Sequence, residues 1–113
     1  MAYRKTHIED CERLLGKGYD HVHKWLDKYA EDYPPNVFLE YHRKFRHNKD
    51  ALEKQFKIWG YYDIMAAKIH IVRDVELYVL QKPMNQVEIE EIEKLYEKAI
   101  NNYCHKENDY VYI

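Results

Sequence analysis

The chain has 113 residues and a mass of 13.9 kDa, is 46% apolar and 34% charged, and sets 18 Lys and Arg against 20 Asp and Glu for a net charge of -2. A chain of this length buries roughly two-thirds of the surface it exposes when unfolded, enough for one domain (residues 1–113) to hold a core without metal or disulfide, so a folded chain is expected. The near-neutral balance announces no polyanion and no anionic membrane as a partner.

With only three glycines and three prolines, the chain has few places to turn, and the stretches between them carry helical periodicity. The first helix is expected to open at Thr6, where Thr6-x-x-Glu9 reads as a capping box, and to close at Gly16 and Gly18. A second begins near Asp20 and sets Val22, Trp25, Leu26, Tyr29 and Tyr33 on one stripe, stopped by Pro34-Pro35. Asn36 caps a third, with Phe38, Tyr41, His42 and Phe45 on a shared face and Asn48 ending it. Lys49 to Trp59 follows, with Gly60 expected just past its end. The most apolar stretch, Tyr61 to Leu80, reads as the central helix, and Asn85-x-x-Glu88 reads as the cap of a last helix burying Ile89, Ile92, Tyr96, Ala99 and Tyr103. The tail alternates apolar and polar residues and suggests an arm over 106–113. Short connections between these segments predict an all-α, antiparallel helical bundle of five or six helices.

The chain starts with charge and no apolar run behind it, which predicts no secretory signal and a cytoplasmic location. No segment reaches the roughly 20 apolar residues of a membrane span. Cys11 and Cys104 are expected as free thiols in that reducing compartment.

The seven histidines are the chemical lead. On the central helix His70 and Asp74 lie four apart, a spacing that lets both reach one ion or lets the carboxylate orient the ring, with Asp63 in the same arc and Ala66 and Ala67 beside them. His23 and Asp27 repeat that spacing on the second helix, and His42-Arg43-Lys44-Phe45-Arg46-His47 lies on the third. Helices that each present His and carboxylate inward are how metal centres in bundles are built, and mixed imidazole and carboxylate ligation suits Zn, Mn, Fe or Ni. On this reading His23, Asp27, His70 and Asp74 are the metal ligands. His42 and His47 serve as catalytic acid or base, and Arg43, Arg46 and Arg73 match phosphate oxygens with their guanidinium forks. The expected activity is processing of a nucleotide or nucleic-acid phosphate ester, and the tyrosine load favours a homodimer. The alternative is a non-catalytic interaction or nucleic-acid-binding module in which the same groups form a structural network. His7, His21 and His105 receive no role; His7 falls in the first turn of a helix, where the dipole disfavours its charged form.

The segments His23-Lys-Trp25-Leu-Asp27, His42-Arg43-Lys-Phe-Arg46-His47 and His70-Ile-Val-Arg-Asp74 resemble, in order and spacing, a family of small bacterial and phage proteins of unassigned function. That resemblance covers about half the chain and implies a helical fold with clustered polar residues. The HD-domain phosphohydrolases also draw His and Asp from several helices, but their adjacent His-Asp dipeptide is absent here. Arg43 and His47 approach the Arg and His spacing of HEPN-type ribonucleases without meeting it. Glu9-x-x-Glu12 is similar to half of the paired motif of the all-α nucleotide pyrophosphohydrolases.

Overall fold

The computed structural model describes residues 4–27, 49–55 and 57–102. Among them are six α-helices and no strand: α1 (Arg4–Leu15), α2 (Asp20–Leu26), α3 (Lys49–Gln55), α4 (Tyr61–Asp74), α5 (Glu76–Val79) and α6 (Ile92–Asn102), with 3₁₀ turns at Met84–Gln86 and Ile89–Glu91. The all-α class expected from the periodicity is what the chain adopts. No helix among the described residues is long and apolar enough to cross a membrane.

The core is organised around α4, against which α1, α2 and α6 pack. Met65, Ala66, Ala67, Ile69, Ile71 and Val72 of α4 are buried together with Cys11, Val22, Leu26, Ile92, Ala99 and Ile100. Apolar residues occupy most of the circumference of α4, as a helix surrounded by others requires. Its direction relative to α1 follows from the contacts: His7 meets Asp74, whereas Cys11, one turn later, lies against the Ala66 carbonyl, so the two helices run antiparallel. The turn between α1 and α2 depends on two glycines for different reasons. Gly16 sits at φ +86 and its N–H returns to the Glu12 carbonyl, a left-handed end to α1 that favours glycine. Gly18 is a close approach, since a Cβ there would fall 2.7 Å from Ile8 Cγ2.

Helix boundaries differ from the sequence expectation where polar caps were over-read. Thr6 lies inside α1, which already runs from Arg4. Gly60 does not end α3; it stands at the start of α4 with extended backbone, φ -77 and ψ 175. The central helix is interrupted at Val75 (φ -115, ψ 25), which separates α4 from the single turn of α5. Asn85 lies within the first 3₁₀ turn, and the capping box belongs to Glu88 and Glu91, each carboxylate accepting the other residue's N–H. The segment assigned to the third helix, the residues Tyr29 and Tyr33, and the arm over 106–113 lie outside the described residues.

Candidate metal centre

One turn of helix separates His70 from Asp74 on α4, so both side chains leave the same face. His23 is likewise one turn before Asp27, which ends α2 and donates its N–H to the His23 carbonyl at 2.9 Å. α1 contributes His7 from its first turns. These three helices bring the five side chains together in the interior: His7, His23 and His70 are 0% exposed, Asp74 6% and Asp27 8%.

The contacts determine where the protons are. His23 Nε2 lies 2.9 Å from the Gly18 carbonyl, which only accepts, so that nitrogen carries the hydrogen. Neutral His23 then presents a lone pair at Nδ1, 2.9 Å from His70 Nδ1, and His70 must donate. The other nitrogen of His70, Nε2, lies 3.2 Å from Asp27 Oδ1 and 3.3 Å from Asp74 Oδ2 and is a donor as well. His70 is therefore an imidazolium. Burial opposes that charge, but the attraction of Asp74 and the contacts with both carboxylates outweigh it and raise the pKa to about 9. His23 moves the other way, to about 3, driven by burial and then by the neighbouring His70 charge. His7 is lowered for the same two reasons, with Asp74 pulling against them. The dipole argument made from sequence gives the right direction for His7 but the wrong leading cause, which is burial.

His7 is the residue that sequence reasoning passed over. Its ring stacks on His70 with centroids 3.5 Å apart and planes 14° from parallel. Its Nε2 approaches Asp74 Oδ1 at 3.0 Å, a short but poorly aligned contact, and neither of its buried nitrogens has a hydrogen-bond partner. A buried ring nitrogen without a partner is costly, and a metal ion is one thing that satisfies it. The one available signal was that His7 and Cys11, four apart, share the core-facing stripe of α1.

Among the described residues, two groups have donor atoms within 4.8 Å of one another, the geometry needed to hold an ion: His7, His23 and His70, and Asp27, His70 and Asp74. They share His70 and differ in what an ion would disturb. His23 uses one nitrogen on Gly18 and the other on His70, so ligation through it breaks a hydrogen bond. Ligation through Asp27, Asp74 and His70 Nε2 requires only loss of the Nε2 proton, and His7 Nε2 already faces the same Asp74 carboxylate. His23 then stands behind His70, receiving its Nδ1–H and handing its own Nε2–H to Gly18, an arrangement that fixes the tautomer of a ligating ring.

Of the other candidate residues, His42, Arg43, Arg46 and His47 lie outside the described residues. Arg73 is not turned toward an anion site. Its Nε and Nη2 donate to the two oxygens of Asp10 at 2.6 Å each and its Nη1 donates to Glu76 at 2.7 Å, so carboxylates fill the fork and a phosphate role is set aside. Asp63 does not join the cluster either; it accepts from the exposed His21, 2.9 Å away. Cys11 is a free, buried thiol whose pKa is pushed up to about 12 by burial and by nearby Asp10; Cys104 lies outside the described residues. No family model, no curated protein and no solved structure matches the chain.

Proposed function

We propose that the buried cluster is a divalent transition-metal centre, held by His7, Asp27, His70 and Asp74 and oriented by His23, and that it serves the hydrolysis of a nucleotide or nucleic-acid phosphate ester. The observation that carries the reading is the convergence of three imidazoles and two carboxylates from three helices, with the unpartnered His7 aimed at the same carboxylate as His70. Charge supports it: two carboxylates and one imidazolium leave these five groups with one net negative charge, and exchange of the His70 Nε2 proton for a dication brings them to neutrality. The mixed donor set suits Zn, Mn, Fe or Ni. A bound ion of this kind lowers the pKa of water and neutralises phosphoryl oxygens. The sequence further offers His42 and His47 as proton donor or acceptor and Arg43 and Arg46 as guanidinium groups for the phosphate.

Elemental analysis of the purified protein tests the first half of this reading, and hydrolysis of nucleotides and RNA with and without EDTA tests the second. One bound ion, lost in Asp74→Asn, and turnover abolished by EDTA are expected. Absence of both metal and turnover removes the enzyme reading.

A second reading has its own support. The chain of contacts from Asp27 and Asp74 through His70 and His23 to Gly18 needs only protons and no ion to link its members, as a structural network would. In that case His70→Ala lowers thermal stability strongly and added metal does not change it. Under either reading we propose a cytoplasmic location, which the free thiol of Cys11 supports. Exposed Ile58, Tyr61 and Tyr62 support a homodimer, and light scattering at micromolar concentration that finds only monomer removes it.

A further inference from the structure

The single turn of α5, the turn leading to Val87 and the outer side of α6 line an open cavity of about 600 Å³, within the size range that holds small organic ligands. Its apolar lining is formed by the half-buried Leu80 and Leu95, over the buried Val79 and Val87. Three lysines, Lys82, Lys94 and Lys98, stand around it with one carboxylate, Glu91. Glu91 is already engaged, accepting the Glu88 N–H at 2.7 Å and pairing with Lys82 at 2.9 Å. Lys94 and Lys98, one turn apart on α6, have no carboxylate within ion-pair distance among the described residues. In a chain of net charge -2, this cavity thus has a net positive lining over an apolar floor.

We infer that the cavity is a binding site for a small anionic amphiphile, a medium-chain carboxylate whose alkyl body lies on Leu80 and Leu95 and whose headgroup meets Lys94 and Lys98. A nucleotide fits the lining poorly, because a sugar and base edge need neutral donors and acceptors and the only neutral polar side chain on the wall is that of Gln81. Lysine suits the headgroup: as a mobile point charge it accepts a carboxylate without demanding fixed bidentate geometry. The site is separate from the buried His and Asp cluster and does not depend on that cluster holding metal.

Calorimetric and NMR titration of the full chain with decanoate, octanoate, decanol and AMP tests the inference. Decanoate is expected to shift the methyl resonances of Leu80 and Leu95, and octanoate to bind more weakly by roughly two- to fourfold per methylene removed. Decanol is expected to bind about tenfold more weakly than decanoate, and the Lys94→Ala/Lys98→Ala double variant to lose about that factor for decanoate alone. Both lysines are exposed, so the variant keeps the core intact. Three results overturn the assignment: no methyl shift at millimolar decanoate, equal affinity for decanol and decanoate, or tighter binding of AMP at the same methyl groups.

Discussion

α1 and α4 are joined by two adjacent sets of charged contacts that solve the same problem differently. Asp10 and Arg73 form a bidentate pair at 2.6 Å, with Glu76 completing the fork, and burial does not threaten either charge because the guanidinium holds its proton at every accessible pH. One helical position away, His7 and His70 face Asp74, and here the charge state is conditional: His70 holds a proton, His7 and His23 refuse one, and His7 lacks an aligned partner. A set of contacts built for rigidity uses a group that cannot titrate and leaves no donor idle. The histidine cluster uses groups that can exchange a proton for a cation, and its donor atoms lie close enough together to hold one.

The largest separation between them is expected from Asp74→Ala. It leaves the His70 imidazolium with Asp27 as its remaining carboxylate in the cluster and takes from His7 its nearest polar neighbour, and breaking a buried pair from one side costs about 3–5 kcal/mol. Urea denaturation measures it; a loss under 1 kcal/mol would mean that the cluster is not charged as described. Metal addition comes next. If the cluster takes an ion, the folded state gains about 2.7 kcal/mol at a free concentration one hundred times the dissociation constant, and the melting temperature rises with concentration. Asp74→Asn removes that rise.

Proton binding gives a further expectation for metal-free protein. His70 has a folded pKa of about 9, above the unfolded value near 6.5, so its contribution is complete below pH 6.5 and is lost as pH rises toward 9, at up to about 1.4 kcal/mol per unit. His7 and His23 are depressed, so their neutral burial is fully tolerated above pH 6.5 and opposes folding as pH falls below it, most steeply for His23 until about pH 3. Stability as a function of pH then peaks near 6.5, with the acid side steeper. His70→Gln abolishes the alkaline decline specifically, and an unchanged decline in that variant would assign it to other groups.

How much of this was legible beforehand depends on the type of signal. The all-α class was, because the periodicity of α4 and α6 persists over whole helices and few glycines interrupt it. The ends were not: Thr6 and Asn85 have capping chemistry but lie inside helical turns, Thr6 because α1 already runs from Arg4 and Asn85 because the buried Met84 opens the 3₁₀ turn before it. Within the site, His23 with Asp27 and His70 with Asp74 were visible as pairs one turn apart. Their convergence was not, since it depends on how α2 and α4 pack. His7 shares the buried stripe of α1 with Asp10 and Cys11, but it meets the other site residues only through the antiparallel packing of α1 on α4. Arg73 shows the reverse error: beside Asp74 in sequence it read as part of one site, yet adjacent helical positions point about 100° apart, and it serves Asp10 instead.

The smallest expected effect tests the ion pair itself. Arg73→Lys keeps the positive charge but cannot donate in parallel to both Asp10 oxygens while holding Glu76, so it should cost about 1–2 kcal/mol. The more informative readout is what stays fixed. Lysine remains charged across the range in which the histidines titrate, so the position of the stability maximum near pH 6.5 should not move, and any metal-induced rise in melting temperature should persist. A shift of that maximum by a full pH unit would mean that Asp10 and Arg73 set the proton affinity of His7 or His70 through the field between them, and that the two sets of contacts act as one.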